Sequence, residues 1–142
     1  MSDQPKEEMI RLLQSNIVAG SKVEQSKNNI PNHVNNYTDF QVEFCLQLDK
    51  IISDKFTIIR KTRFNQGTAM DYFIRDGKKF FAWNLRKDGN ITLYFCKNPH
   101  DSKNLFPKVQ KSNETRSGVI FPNISQCNYI LELAQRSYEK CS

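Results

Sequence analysis

DYFIRDGKKFFAWNLRKDGNITLYFCK, residues 71–97, is the stretch on which the fold turns. It holds three β-branched and aromatic runs, ending in MDYFIR, KKFFAWNLR and NITLYFCK, separated by Asp76-Gly77 and by Lys87-Asp88-Gly89. An Asp-Gly pair supplies the positive φ that a tight hairpin turn requires, so these runs predict antiparallel neighbours joined by short turns. In the last run Ile91, Leu93 and Phe95 fall on one face and Thr92, Tyr94 and Cys96 on the other. The alternation breaks at Phe80-Phe81-Ala82-Trp83, which predicts a strand covered on both faces. Upstream, FTIIRKTRF (56–64) adds a further strand of the same character, and downstream SGVIFP (117–122) reads as a short one.

Outside the meander the period changes to that of a helix. Thr38 is placed to cap a helix in which Phe40, Phe44, Leu48, Ile51 and Ile52 recur at three- and four-residue steps. Met9, Ile10, Leu13 and Ile17 give a shorter amphipathic helix over residues 1–19, with Pro5 in its first turn. Cys127, Ile130, Leu131, Ala134 and Tyr138 describe a closing helix. Residues 20–36 read as a polar linker, and 98–116 as a loop longer than usual, a length often associated with function. The expectation is one α+β domain over 37–142, an antiparallel β-meander of 4–5 strands packed against N- and C-terminal helices.

Composition excludes several classes. The chain has 142 residues, 38% of them hydrophobic, with four Cys and no CxxC. No apolar run approaches a membrane span, and MSDQPKEEMIRLL lacks the features of a signal peptide, so a cytoplasmic protein with no membrane partner is expected. Four scattered Cys do not frame a disulfide scaffold. The net charge of +6 hides an uneven distribution: residues 1–54 carry five basic and eight acidic side chains, 55–111 thirteen and four, and 112–142 three and three. A basic segment interleaved with Tyr72, Phe73, Phe80, Phe81, Trp83, Tyr94 and Phe95 points to a phosphate-bearing partner, nucleic acid first. The candidate contacts are Arg60, Lys61, Arg63, Arg75, Lys78, Lys79, Arg86, Lys87, Lys103, Lys108 and Lys111, with Trp83 as the stacking residue. The competing reading places these cations on the solvent side of half-buried strands, where they keep edges apart, and most of the aromatic residues in the core.

Catalytic signatures are sparse. His33 and His100 lie far apart without acids at metal or triad spacing, so no metal or other cofactor is expected. Cys96 and His100 stand four apart at a strand end, but packing accounts for Cys45 and Cys127, while Cys141 is terminal and Cys96 is one strand position among many. Asp76-Gly77-Lys78 with Asp71 upstream contains the acid-x-Lys element of metal-dependent nucleases, yet the turn already explains Asp76 and Gly77. P-loop, GxGxxG, GxSxG and HExxH patterns are absent from the sequence.

Gly77 to Ala82, Ile91 to Phe95, and Arg136 to Glu139 in a final helix make residues 56–140 resemble the YdhG/YjbR-like group of small bacterial domains. The resemblance implies an antiparallel sheet backed by the first and last helices, similar in outline to frataxin-like folds. It implies iron-chaperone or DNA-binding roles and carries over no catalytic residue. The carboxylate ridge of frataxin-like iron binders is not matched, because the acids lie mainly in the N-terminal third. The reading is therefore a non-enzymatic binding domain whose basic sheet and loop recognise an anionic partner. The alternative is a protein–protein module docking through residues 1–36 and the apolar side of the first helix.

Overall fold

The two Asp-Gly turns form as the sequence demands: Gly77 has φ 77° and Gly89 φ 90° in the computed structural model, conformations that cost a side chain dearly and glycine little. The structure describes residues 3–18, 22–25, 36–64, 67–106, 108–110 and 115–142. In chain order the elements are α1 (Asp3–Gln14), β1 (Ser15–Val18), β2 (Lys22–Gln25), α2 (Asp39–Lys55), β3 (Ile59–Arg63), β4 (Thr68–Phe73), β5 (Lys79–Leu85), β6 (Ile91–Phe95), β7 (Lys108–Gln110), β8 (Thr115–Ile120) and α3 (Cys127–Cys141). The strands form one antiparallel sheet in the order β2-β1-β3-β4-β5-β6-β8-β7. The α+β class is as expected, but among the described residues the sheet has eight strands instead of 4–5.

The extra strands come from the two polar stretches. Lys22–Gln25 lies within the expected 20–36 linker and pairs with β1, which joins the sheet at Ile17↔Arg60. Residues 26–35 lie outside the described residues. The helix expected over 1–19 ends at Gln14, and its last residues become β1. The 98–116 stretch contributes β7, with 111–114 outside the described residues.

Register sorts the side chains into two faces. Ile17, Arg60, Tyr72, Phe81 and Phe95 form one row across the sheet, and Met70, Trp83 and Leu93 another. This face meets the helices, α1 packing on α2 and α2 on α3. Between Tyr72 and Phe73 the register shifts, so that Phe80 and Phe81 together oppose Tyr72. That bulge turns both rings inward and accounts for the broken alternation. Phe80 meets Phe56 and Tyr138 edge-on, while Phe81 packs between Tyr72 and Phe95. Each buried ring contributes about 1.5–3 kcal/mol relative to exposure.

The helices form for local reasons. Thr38 caps α2 by accepting from Gln41 N (3.1 Å), while Gln41 Oε1 accepts from Thr38 N (2.9 Å), a reciprocal capping box. Gln41 Nε2 also donates to the carbonyls of Arg86 and Asn90, fastening α2 to the β5–β6 turn. Phe40, one of the apolar residues recurring at helical spacing, is 67% exposed. Met9 and Leu13 of α1 are buried in the common core, so the apolar side of this helix is not available to a partner as the docking alternative required. Residues 98–106 fold back over the sheet: Asp101 accepts from Phe106 N and Tyr129 Oη, and Arg116 donates to the carbonyls of Pro99 and Phe106.

Candidate nucleic-acid interface

The opposite face of the sheet carries the rows Arg63, Ala69, Asn84, Thr92, Val119 and Lys61, Asp71, Ala82, Tyr94, Ser117. Among the described residues no helix is seated on it. Its centre is a chain of polar contacts spanning four strands. Arg63 donates from Nε and Nη2 to Asp71 (3.0 and 3.3 Å), Lys79 Nζ lies 3.6 Å from the same carboxylate, and it stands 4.7 Å above the Tyr94 ring. Asp71 is buried between these cations. Nearby, Lys61 Nζ sits 5.9 Å from the Phe73 ring and 3.9 Å from Asp76. Burial and the neighbouring Cys96, Cys141 and Asp71 push the Tyr94 hydroxyl up to about 12, so it stays a neutral hydrogen-bonding group at physiological pH.

At the β5–β6 end this face runs into a cleft of about 560 Å³, lined by Tyr37, Gly67, Asn84, Arg86, Lys87 and Thr92 among others. Asn84 and Thr92 belong to both surfaces. Arg86 bonds Asp88 at 3.3 Å, and Arg86 and Lys87 are exposed at the cleft rim.

The sequence-derived candidates therefore divide. Lys61, Arg63 and Lys79 stand on the open face. Arg75 and Lys78 lie at the β4–β5 turn and Arg86 and Lys87 at the β5–β6 turn, at opposite ends of the sheet. Lys103 is exposed in the 98–106 segment, its Nζ 4.8 Å from the Tyr129 ring. Lys108 lies on β7 and Lys111 outside the described residues. Two candidates are withdrawn. Arg60 is only 4% exposed: its Nη1 donates to both oxygens of Asp49 (2.8 and 2.7 Å) and its Nη2 to Ser15. Trp83 is completely buried, donating from Nε1 to Tyr72 Oη (2.9 Å), which in turn donates to Asp49 Oδ1 (2.8 Å). Both face the helices because register pairs Arg60 with Tyr72 and Trp83 with Met70. Of the seven interleaved aromatic residues, only Phe73 and Tyr94 are partly exposed.

The possible catalytic group does not assemble. Asp71 is held by Arg63 and Lys79, while the Asp76 side chain is 95% exposed in a turn closed by Lys78 N donating to Arg75 O. Asp76 thus serves as turn chemistry. No cluster of three His, Cys, Asp or Glu suited to a metal occurs among the described residues. His33 lies outside them, and Cys96 faces Cys141 rather than His100. Two features escaped the sequence reading. One is this Cys96–Cys141 contact, and the other an exposed apolar groove of about 360 Å³ formed by Phe40, Glu43, Phe121 and Ile124. The Phe-Pro at 121–122 directly after a strand was the available signal for the groove.

No family model matches this chain, and no curated protein or solved structure is significantly similar to it. No helix among the described residues is long and apolar enough to cross a membrane.

Proposed function

We propose that the protein is a non-enzymatic binding domain whose open sheet face, continued into the Arg86–Lys87 cleft, takes a single-stranded nucleic acid. The observation that carries this reading is the pairing of cations with partly exposed rings on a face without a helix: Lys79 over Tyr94 and Lys61 beside Phe73. Bases stack on such rings while cations follow the phosphates. Lys61, Arg63 and Lys79 against Asp71 and Asp76 leave one net positive charge on the face, so stacking carries more of the affinity than charge does.

Fluorescence anisotropy with single- and double-stranded DNA and RNA at two salt concentrations tests it. Single strands are expected to bind more tightly than duplexes, and Tyr94→Ala to weaken binding about 5- to 150-fold, the equivalent of about 1–3 kcal/mol per stacked base. A log–log salt slope shallower than about −2.8 is expected, from about −0.7 per contact and fewer than four phosphates engaged. Absence of binding tighter than millimolar at low salt rejects the reading.

A second reading rests on Phe40, Phe121 and Ile124, which are 67%, 68% and 54% exposed around one groove. Contiguous exposed apolar surface marks interaction sites; Glu43 borders this one, and Glu8 and Lys50 line an adjoining cleft that shares Glu43 and Ile124. A basic amphipathic partner helix is the complementary occupant. Phe121→Asp should abolish capture of a Lys/Leu amphipathic peptide and leave nucleic-acid affinity unchanged.

A further inference from the structure

Cys96 follows the last residue of β6, where the chain turns sharply through Lys97 (φ 62°) and Asn98 (φ 48°). Cys141 closes α3, 45 residues later. Ser137, one helical turn before Cys141, holds α3 against the strand end: its hydroxyl lies 2.6 Å from Phe80 O and 2.8 Å from Cys96 O. Residues i and i+4 share a helix face, so this anchor delivers the next turn onto Cys96. The two sulfurs are in direct contact, and both cysteines are free.

We propose that Cys96 and Cys141 are a reversible thiol–disulfide pair that fastens the last turn of α3 to the end of β6, oxidised by exchange with a low-molecular-weight disulfide. Cys96 is the half-exposed partner and Cys141 the buried one, which sets the order of events. Cys96, deprotonated, attacks one sulfur of the external disulfide. A mixed disulfide forms and the first small thiol leaves, taking up the proton that Cys96 lost. Cys141 then attacks the Cys96 sulfur, and the second small thiol leaves with the Cys141 proton. The protein loses two hydrogens and two electrons, and the small disulfide is reduced to two thiols. Burial and the adjacent Cys96 push the Cys141 thiol up to about 11, against the pull of Lys78 and Lys97. It is therefore a poor nucleophile toward solvent and depends on proximity for its attack. Cys45 and Cys127 are buried in the core and serve as internal controls.

The test uses the full chain with glutathione disulfide, followed by non-reducing peptide mass mapping and thermal unfolding. A Cys96–Cys141 cross-link two hydrogens lighter than the dithiol is expected, with Cys45 and Cys127 still reduced. The cross-linked protein should melt at a higher temperature and return to its starting value on reduction. Cys141→Ser should stop at glutathione held on Cys96. The proposal is overturned if the folded wild-type protein keeps both thiols, accumulates unresolved glutathione on Cys96, links Cys96 to another chain, or melts at the same temperature once cross-linked.

Discussion

Two carboxylate–guanidinium pairs stand on opposite faces of one sheet. Asp49 of α2 meets Arg60 of β3 between helix and sheet, whereas Asp71 and Arg63 pair across β4 and β3 on the other face with the Arg63 side chain 36% exposed. The chemistry is the same and the surroundings are not. Burial raises the Asp49 carboxyl above its ordinary value even though Arg60 and the Tyr72 hydroxyl pull it down. Desolvation thus outweighs attraction, and the inner pair contributes its specific geometry more than net stability. In the outer pair the Asp71 carboxylate is as enclosed as Asp49 and only the guanidinium is wetted, so partial screening weakens it and leaves it a pair that a ligand can open. Position in the sheet decides which ion pair holds the structure and which can exchange partners.

Breaking the inner pair should have the largest effect. Arg60→Met leaves the buried Asp49 without its counter-charge, held only by the Tyr72 hydroxyl, and should lower stability by about 3–5 kcal/mol, read by urea denaturation. Adding Asp49→Leu should recover much of that loss. Gly118→Ala comes next: a Cβ there would stand 2.9 Å from Phe106 Cα, and overpacking of this kind costs about 1–3 kcal/mol. Asp101→Asn should cost about 1–2 kcal/mol through lost charge-assisted bonds, with a distinctive pH signature. Burial pulls the Asp101 carboxyl up, but Tyr129, the Phe106 and Leu105 N–H groups and Arg116 together hold it below its ordinary value. Such a group contributes stability above its unfolded pKa, about 3.9, and loses it as pH falls through the depressed folded value. The melting temperature should therefore drop more steeply below about pH 4 in the wild type than in Asp101→Asn. The smallest effect on stability is expected at the outer pair. Asp71→Asn should change stability by no more than about 1 kcal/mol, yet tighten oligonucleotide binding in anisotropy by releasing Lys79 and Arg63. Weaker binding in that variant would overturn the proposed exchange of partners.

What depended on neighbours in sequence was legible from the sequence. The Thr38 cap of α2 and the turns at Gly77 and Gly89 are set within a few residues, and the meander between helices follows from them. What depended on register was less so. Arg60 and Lys61 are adjacent and equally basic, but strand alternation sends one to Asp49 and the other to solvent. A single bulge at Phe80–Phe81 decides how many rings turn inward. Trp83 looked available because nothing local reveals that Tyr72 and Asp49 complete its hydrogen bond. The Cys96–Cys141 contact joins residues 45 apart through the angle at which α3 crosses the sheet, a quantity no local pattern encodes. The open face was foreseen as basic, but its cations are divided between Asp71, Asp76 and two separated turns.

Among the described residues the sheet ends on β2, of four residues, and β7, of three. A terminal strand offers its outward N–H and C=O groups to any passing chain, and the length of that row sets how well it can template growth. Borders this short give an incoming strand only one or two rungs to grip. Among the described residues the eight strands are framed by stubs, which discourages self-association through backbone pairing at both margins whatever the other face binds.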